Sequence, residues 1–296
     1  MLKTFLFNFL LLSVIYTHAQ TTYQQEIDAW HTKRIESLKK EDGWLNLVGL
    51  YWLQQGKNTF GSGSNVQIKF PKNSITENAG WFELKSTTVI LHANKETAIL
   101  VNGIRKTDPI IFTKDSEKPI QCSYKNLRWT IIKREDKIGI RLRDINSNLV
   151  KAFKEIPYYP ADSNFKIKAY LQKPSQQKSS IFITNIIGQT NAQNSPGKLV
   201  FTLNNQQYSL DALQEDNELF IVFGDATSGN ETYPAGRFMY ANMPDKDGYT
   251  ILDFNKAFNP PCAFTPYATC PLPPKQNILP IAITAGEKNV EHLKNK

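Results

Sequence analysis

The stretch LRWTIIKREDKIGIRLR, residues 127–143, has the pattern of two strands around a short polar turn. Apolar residues alternate with polar ones on both sides of 134–136, which is typical of a β-hairpin with one buried face. The segments KLVFTL and QQYSL flank Asn204-Asn205 in the same way, and Asn102-Gly103 has the sequence of a two-residue hairpin turn. Successive hairpins of this kind predict antiparallel sheets.

The rest of the chain favours the same fold class. Short runs rich in β-branched and aromatic residues are separated by Gly, Asn or Pro, and no long helices alternate with them. This pattern predicts an all-β protein, a mainly antiparallel sandwich or barrel-like two-layer sheet. A further hairpin is predicted from GRFMYA at 236–241 to YTILDF at 249–254. Residues 22–40 are the exception, because apolar residues recur there at helical spacing and predict one N-terminal amphipathic helix.

The first 19 residues have the pattern of a secretory signal peptide. Lys3 precedes an apolar run over residues 5–16, and Ala19 offers a small residue for cleavage before Gln20. The run is too short for the roughly 20 residues of a membrane-spanning helix. We therefore expect an exported protein, periplasmic or extracellular, without a membrane span. Since no internal repeat is visible, we expect residues 20–296 to form a single β-rich domain.

Export bears on the three cysteines, because disulfides persist in oxidising compartments. Cys262 and Cys270 lie close together in the sequence and are predicted to form a disulfide, whereas Cys122 lies in a strand-like run and is predicted to be a small buried residue. The histidines that remain after cleavage are far apart and show no zinc-ligand spacing. Neither a metal nor another cofactor is predicted.

The formal net charge of +8 does not indicate a nucleic-acid partner. The 28 lysines and seven arginines are spread along the chain, and no basic run interleaves with the stacking aromatics of a single-strand groove. Weak attraction to acidic glycans is the remaining consequence of this charge. A small molecule or a glycan is therefore the expected partner, and the sequence does not fix the oligomeric state.

Several segments carry a resemblance to one family. The chain resembles the family called domain of unknown function 1684 from about Gly43 onward, and its most specific segments fall in a signature block over residues 223–288. The family has no established activity, so the resemblance implies no mechanism. The segments, in family order, are GWLNLVGLYWL (43–53), RLRD (141–144), SPGKLVF (195–201), FGDATSGNETYPAGRF (223–238), DFNKAFNPPCAF (253–264), ATCPLPP (268–274) and AGEK (285–288).

The signature block contains the first group of candidate site residues. Asp225 and Thr227 follow an apolar strand at 219–223, where hydroxyls and backbone N–H groups meet the rim of a sheet. Two interpretations stay open. Asp225 caps its own turn, or it forms a ligand rim together with Thr227, Thr232 and Tyr233.

Arg237 and Asp253 form the second group. The planar fork of Arg237 suits bidentate pairing, either with a carboxylate (Asp225, Glu231 or Asp253) in a structural ion pair or with an anionic ligand. Strand alternation places Asp253 and Asn255 on one face. There they act as a base and an orienting amide in a cleft, or they satisfy the backbone of a turn.

The sequence leaves open whether this protein is an enzyme, because it contains no GxSxG, P-loop, GxGxxG or HExxH motif. The favoured hypothesis is an exported binding protein that holds a small or glycan-like anionic ligand at the polar rim around Arg237. Aromatic residues would contribute, namely Trp44, Trp52, Trp81 and Trp129. The alternative is a metal-free hydrolase in which Asp225 and Asp253 form a carboxylate pair and Arg237 positions the substrate.

Overall fold

The structure, a computed structural model, describes residues 22–174 and 180–290, so the predicted signal peptide lies outside the described residues. The chain divides into two compact units. The central unit is Ser37–Lys154, and the terminal unit combines the described parts of Met1–Glu36 and Glu155–Lys296. Both consist mainly of antiparallel strands, which confirms the all-β prediction. That residues 20–296 form one domain stays a prediction.

Helix α1 spans residues 22–39 and confirms the predicted N-terminal amphipathic helix. Ile27 and Leu38 are buried on one side of it, whereas the lysines at its end are exposed. The side-chain amide of Asn46 donates to the carbonyls of Lys39 and Lys40. These two acceptors have no partner within a helix that ends here, so Asn46 caps the helix. Among the described residues, no helix is both long and apolar enough to cross a membrane.

The central unit is a sandwich of two five-stranded sheets. One sheet has the order β1-β10-β9-β8-β6 and the other β3-β2-β4-β5-β7, with β2–β3 as a parallel pair. A short helix α2 (Asn148–Ala152) follows the last strand. The strands are β1 (Leu47–Trp52), β2 (Gly56–Gly61), β3 (Ile68–Lys69), β4 (Gly80–Lys85), β5 (Thr88–Ala93), β6 (Leu100–Val101), β7 (Ile110–Phe112), β8 (Cys122–Tyr124), β9 (Leu127–Arg134) and β10 (Lys137–Asp144).

One aromatic core joins the two sheets of the central unit. Phe60 and Phe82 contribute from one sheet and Trp129 from the other, and all three are fully buried. The Phe60 and Phe82 ring centres are 4.3 Å apart, and Trp129 packs edge-on against Phe70 at 5.7 Å. Since each inward side chain alternates with an outward one along its strand, the hairpin pattern of the sequence already specifies which residues form this core.

The terminal unit is a six-stranded antiparallel sheet with the order β17-β16-β15-β14-β11-β18 and a separate hairpin, β12–β13. The turn between β14 and β15 is Asn204-Asn205, as predicted, and both residues have positive φ. The strands are β11 (Lys166–Gln172), β12 (Ser180–Thr184), β13 (Thr190–Asn194), β14 (Gly197–Leu203), β15 (Gln206–Glu215), β16 (Glu218–Phe223), β17 (Arg237–Asn242) and β18 (Tyr249–Asp253).

The predicted hairpin between residues 236 and 254 is wrong in its pairing. The turn exists, but β18 pairs along its length with β11, and β17 pairs with β16. The two edge strands meet only near the turn, where the Thr250 hydroxyl donates to the Asn242 carbonyl at 2.8 Å. Farther along, Phe238 exchanges two backbone hydrogen bonds with Phe258 instead. The sheet is therefore barrel-like and nearly closed.

His31 on α1 makes the stability of this protein depend on pH. Burial lowers the pKa of the imidazole to about 4; the Arg34 charge adds to this effect and the Asp28 charge opposes it. The ring stacks on Tyr158 at 3.7 Å. The unfolded chain binds a proton at His31 below about pH 6.5, whereas the folded protein does so only near pH 4. The contribution of His31 to the free energy of unfolding is therefore complete above pH 6.5. It is lost as the pH falls towards 4, and it amounts to about 3 kcal/mol.

We expect His31→Phe to remove this dependence while keeping a stacked ring. Urea denaturation of both proteins at pH 7 and pH 4.5 would measure it, since the carboxyl groups common to both cancel in the comparison. Equal losses of stability in the two proteins would show that His31 is not the responsible group.

Gly236 sets the geometry at the start of β17. Its φ is +84°, and an added Cβ would lie 2.5 Å from the Phe223 carbonyl oxygen and 2.5 Å from Pro273 Cγ. Gly229 has nearly the same φ, +86°, but a Cβ there would meet no atom within 4 Å. We expect Gly236→Ala to lower the free energy of unfolding more than Gly229→Ala, because both variants share the backbone strain but only the first has the clash. Similar urea midpoints for the two variants would contradict this expectation.

Candidate functional site

Arg237 lies at the centre of a buried polar network rather than at an open rim. Its side chain is 0% exposed. Nη2 donates to Asp225 Oδ2 at 2.8 Å and to the Ile283 carbonyl at 2.9 Å, while Nη1 donates to the carbonyls of Ala285 and, at 3.5 Å, Glu287. The Arg237 guanidinium therefore binds the carbonyls of every second residue in the C-terminal segment and holds that segment against the start of β17.

Asp225 is occupied on both oxygens. Its Oδ1 accepts the Thr227 backbone N–H at 2.8 Å, the Thr227 hydroxyl at 2.6 Å and the Ile283 N–H at 3.2 Å. The Thr227 and Thr232 hydroxyls lie 2.9 Å apart. The first of these bonds is the Asx turn that the sequence analysis gave as one interpretation of Asp225. The threonines are buried within the same network.

This geometry supports the structural alternative for the first group of candidates. Asp225, Thr227, Thr232 and Arg237 come together, and they bond to one another or to the backbone. None of the four is exposed, and only Nε of the Arg237 guanidinium lacks a partner among the described residues. Tyr233 is half-buried, and burial raises its pKa. An anionic ligand approaching Arg237 would first have to displace the Asp225 carboxylate. We therefore do not place the ligand contact at this cluster.

Asp253 and Asn255 lie at the end of β18 and form a separate group. Asp253 Oδ1 accepts the Tyr23 hydroxyl at 2.7 Å and the Asn255 N–H at 3.2 Å. The Asn255 side chain forms two 2.9 Å hydrogen bonds with the backbone of Asp162. In the part of the chain that the structure describes, Asp225 and Asp253 share no hydrogen-bond partner. The carboxylate pair of the hydrolase hypothesis stays a prediction.

A second buried ion pair was missed by the sequence analysis. Glu287 is fully buried; Arg34 Nε donates to its Oε1 at 3.2 Å and the Asn259 N–H to its Oε2 at 2.7 Å. Burial raises the pKa of this carboxyl, and the Arg34 charge acts in the opposite direction. Residue 287 belongs to the AGEK segment of the resemblance, but no spacing in the sequence connects it with a helix more than 250 positions away.

The cysteines behave as predicted. Cys262 and Cys270 are joined by a disulfide with their Cα atoms 6.2 Å apart, and Cys122 is a buried free thiol whose pKa burial raises to about 12. The bond closes the proline-rich segment after β18 into a short loop. No group of three or more His, Cys, Asp or Glu side chains within the described ranges is placed to hold a metal ion.

The four tryptophans proposed as ligand contacts have different environments. Trp129 belongs to the core and is inaccessible, which corrects the expectation for this residue. Trp81 stacks on the imidazole of His92 at 4.7 Å. Trp44 and Trp52 are half-buried beside β10, on its outward side.

Strand β10 presents two arginines next to these tryptophans. Ile140 and Leu142 point into the core, so Arg141 and Arg143 point outward together with Gly139. A Cβ at Gly139 would lie 2.7 Å from Trp52 Cε3, and the glycine therefore gives the indole its place on the sheet. The Arg141 guanidinium lies 5.1 Å from the centre of the Trp44 ring. We call Trp44, Trp52, Arg141 and Arg143 the arginine face.

Two guanidinium nitrogens of the arginine face lack an acceptor among the described residues. The Nε atoms of Arg141 and Arg143 are buried without a hydrogen-bond partner, and no carboxylate of the described chain lies within 4 Å of either side chain. Burial lowers the pKa of Arg141 to about 10, and the Arg134 and Arg143 charges add to this. Burial also lowers the pKa of Arg143, which the Asp42 charge partly opposes. Arg237 Nε is likewise buried without a partner among the described residues, but Arg237 has the Asp225 carboxylate beside it. The difference between the two sites is therefore the missing carboxylate, and its cost falls on Arg141 and Arg143.

In the sequence, Arg141 and Arg143 belong to the RLRD segment of the family resemblance and were not among the predicted site residues. A signal for their placement was present, because the run GIRLR in a strand puts both arginines on the face opposite the aliphatic residues. What alternation does not reveal is that no carboxylate within residues 22–174 or 180–290 forms an ion pair with them.

The Arg237–Asp225 pair predicts a large effect on stability. Arg237→Met leaves the Asp225 carboxylate buried without its charge partner, and we expect the free energy of unfolding to fall by about 3–5 kcal/mol. Adding Asp225→Asn should recover part of this loss, because the second change removes the uncompensated charge. Urea denaturation of the three proteins measures both effects. A loss below about 1 kcal/mol for Arg237→Met would contradict the structural role given to this residue.

Comparisons with known proteins assign a family but no activity. The family model described as "Protein of unknown function (DUF1684)" matches residues 151–288, whereas segments 43–53 and 141–144 of the expected resemblance lie outside the match. An uncharacterized protein of Haloarcula marismortui, solved by solution NMR, is 31% identical to this chain. The match covers 48% of this chain and 80% of that protein, with a TM-score of 0.40. No curated protein matches. Over residues 151–288, this chain belongs to the DUF1684 family.

Proposed function

We propose that this protein is an exported binding protein for a small or glycan-like anionic ligand, and that the ligand binds at the arginine face. The observation that carries the proposal is the pair of neighbouring guanidiniums, Arg141 and Arg143, that lie beside two tryptophans and have no carboxylate partner in the described chain. The ligand class is the one expected from the sequence, but the site differs from the predicted rim at Arg237.

The chemistry of guanidinium favours an oxyanion. Each arginine offers a planar fork that matches the two oxygens of a carboxylate, sulfate or phosphate. Two outward residues of one strand are about 7 Å apart, so Arg141 and Arg143 can hold one multivalent anion or two neighbouring acidic groups. Desolvation strengthens such a contact, because the charges meet in a medium less polar than water.

The tryptophans favour a ligand with an apolar surface as well as a charge. Trp44 and Trp52 are partly exposed and flank the arginines, and Lys137 Nζ lies 5.9 Å from the centre of the Trp52 ring. An aromatic ring buries the C–H face of a sugar or an aliphatic acid, which adds apolar contact to the ion pair. An acidic sugar combines the two features, and a simple inorganic anion has only the first.

Two features support the exported location. Residues 1–19 have the pattern of a signal peptide, and the Cys262–Cys270 disulfide suits an oxidising compartment.

The proposal is tested by binding measurements on Arg141→Gln and Arg143→Gln. With inorganic phosphate, sulfate and a heparin-derived oligosaccharide as probes, titration calorimetry should show that each variant binds about 10- to 100-fold more weakly, since a hydrogen bond to a charged group contributes about 1.5–3 kcal/mol. Arg141→Lys should recover only part of the affinity, because the charge remains but the fork is lost. Quenching of tryptophan fluorescence would report binding near Trp44.

Arg105→Gln is the matched control. It removes the same charge from an exposed arginine of the same unit and should leave the affinity unchanged. Equal losses in the control and in Arg141→Gln would indicate general attraction to a basic protein and contradict the proposed site. The proposal would also be contradicted if the unmodified protein bound none of the probes. We expect no loss of stability in Arg141→Gln, in contrast to Arg237→Met, because removing a buried unpaired charge relieves a cost.

A further inference from the structure

The outer side of β11 and β18 in the terminal unit carries a second group of side chains that neither the fold nor the proposed anion site uses. These strands are antiparallel neighbours, and their outward residues face one another in pairs. We define the β11–β18 face by its three cross-strand pairs: Tyr170 opposite Tyr249, Lys168 opposite Ile251, and Lys166 opposite Asp253.

One end of the β11–β18 face is an aromatic platform. Tyr170 and Tyr249 are 46% and 38% exposed, and their ring centres are 5.4 Å apart at an interplanar angle of 62°. Lys168 Nζ lies 3.9 Å from the centre of the Tyr249 ring. The two rings line a shallow depression of about 780 Å³. Solvent-exposed tyrosines on a sheet bury apolar area only when another molecule covers them.

The other end is a narrower cleft of about 420 Å³, within the roughly 300–1,000 Å³ typical of small-molecule sites. Trp30, Tyr240 and Phe258 contribute aromatic walls, and the Tyr240 and Phe258 rings stack 5.9 Å apart at 14°. Asp253 also lines the cleft. Its side chain is 10% exposed, and its Oδ2 atom has no hydrogen-bond partner among the described residues.

The charges of this surface balance. Lys166 and Lys256 both lie near Glu26, with Nζ to carboxylate distances of 3.6 and 2.6 Å, and Lys256 Nζ is 3.7 Å from Asp253 Oδ2. With Lys168 and Glu218 included, three lysines face three carboxylates. The surface therefore differs from the arginine face, because it offers many hydrogen-bonding groups without a net charge that would select an ion.

We propose that the β11–β18 face binds an uncharged linear oligosaccharide. Asp253 lies four positions after Tyr249 in β18, a span of about 13 Å, so the aromatic platform and the cleft can hold successive rings of one chain. Pyranose C–H faces pack on the aromatic rings and bury apolar area. Hydroxyl groups donate to the exposed Glu218 carboxylate, which lines the cleft, and accept from the lysines. The inference does not depend on the proposed anion site.

The test uses residues 20–296, the chain without the predicted signal peptide, and a panel of neutral polysaccharides. Affinity electrophoresis in gels that contain amylopectin, laminarin, galactomannan or hydroxyethyl cellulose should show retardation in at least one gel. Tyr249→Ala and Trp30→Ala remove one aromatic contact from each end, and each should weaken this retardation about tenfold. The double variant should migrate as in a gel without polysaccharide. Thermal melting verifies that the variants fold.

Two controls make the result decisive. Phe182→Ala removes a 70% exposed ring from β12, away from the β11–β18 face, and should bind like the unmodified protein. Arg141→Gln should also keep its retardation, so failure of the anion site and failure of this site are distinguishable. The inference is overturned if no neutral polysaccharide retards the protein, if Phe182→Ala loses as much affinity as Tyr249→Ala, or if only charged polysaccharides bind and Arg141→Gln abolishes that binding.

Discussion

The terminal unit depends on a buried ion pair between Asp225 and Arg237. An isolated guanidinium or carboxylate in this position would cost several kcal/mol, so each group needs the other. The guanidinium also needs further acceptors, and the carboxylate needs further donors. The C-terminal segment supplies them through the carbonyls of Ile283 and Ala285 and the N–H of Ile283. The same segment places Ile283 and Ala285 in the hydrophobic core of the sheet. The polar network and the apolar core therefore form together, and removing either charge disturbs both.

Arg237 and Arg141 show how the environment, rather than the residue type, decides what an arginine does. Both are largely removed from water. Arg237 has a carboxylate and backbone carbonyls around it, which accounts for its presence by stability alone. Arg141 lies against a tryptophan ring and near two other arginines, without a carboxylate within ion-pair distance among the described residues. A largely buried cation without a carboxylate beside it is a reason to look for an external partner. This contrast is why we propose the anion site at Arg141 rather than at Arg237.

Much of the fold followed from local pattern. The hairpin turns at Asn204-Asn205, the alternation along β9 and β10 and the helical spacing of α1 depend on residues close in sequence, and the structure confirms each of them. The pairing of β18 was not predictable in this way. A turn joins β17 to β18, but a turn does not fix which strand β18 pairs with. In the structure, β18 forms five cross-strand pairs with β11, which lies about 80 positions earlier in the chain.

The candidate site shows the same division between local and long-range information. The sequence by itself determined that Asp225, Thr227 and Arg237 lie near one sheet rim, that the two cysteines form a bond and that the arginines of β10 share a face, because each of these depends on strand alternation or short spacing. Only the tertiary structure decided which arginine has a carboxylate beside it and which tryptophan is buried. Charge pairing and burial are properties of residues brought together from distant positions, such as Arg34 with Glu287, and no local pattern encodes the distance between them.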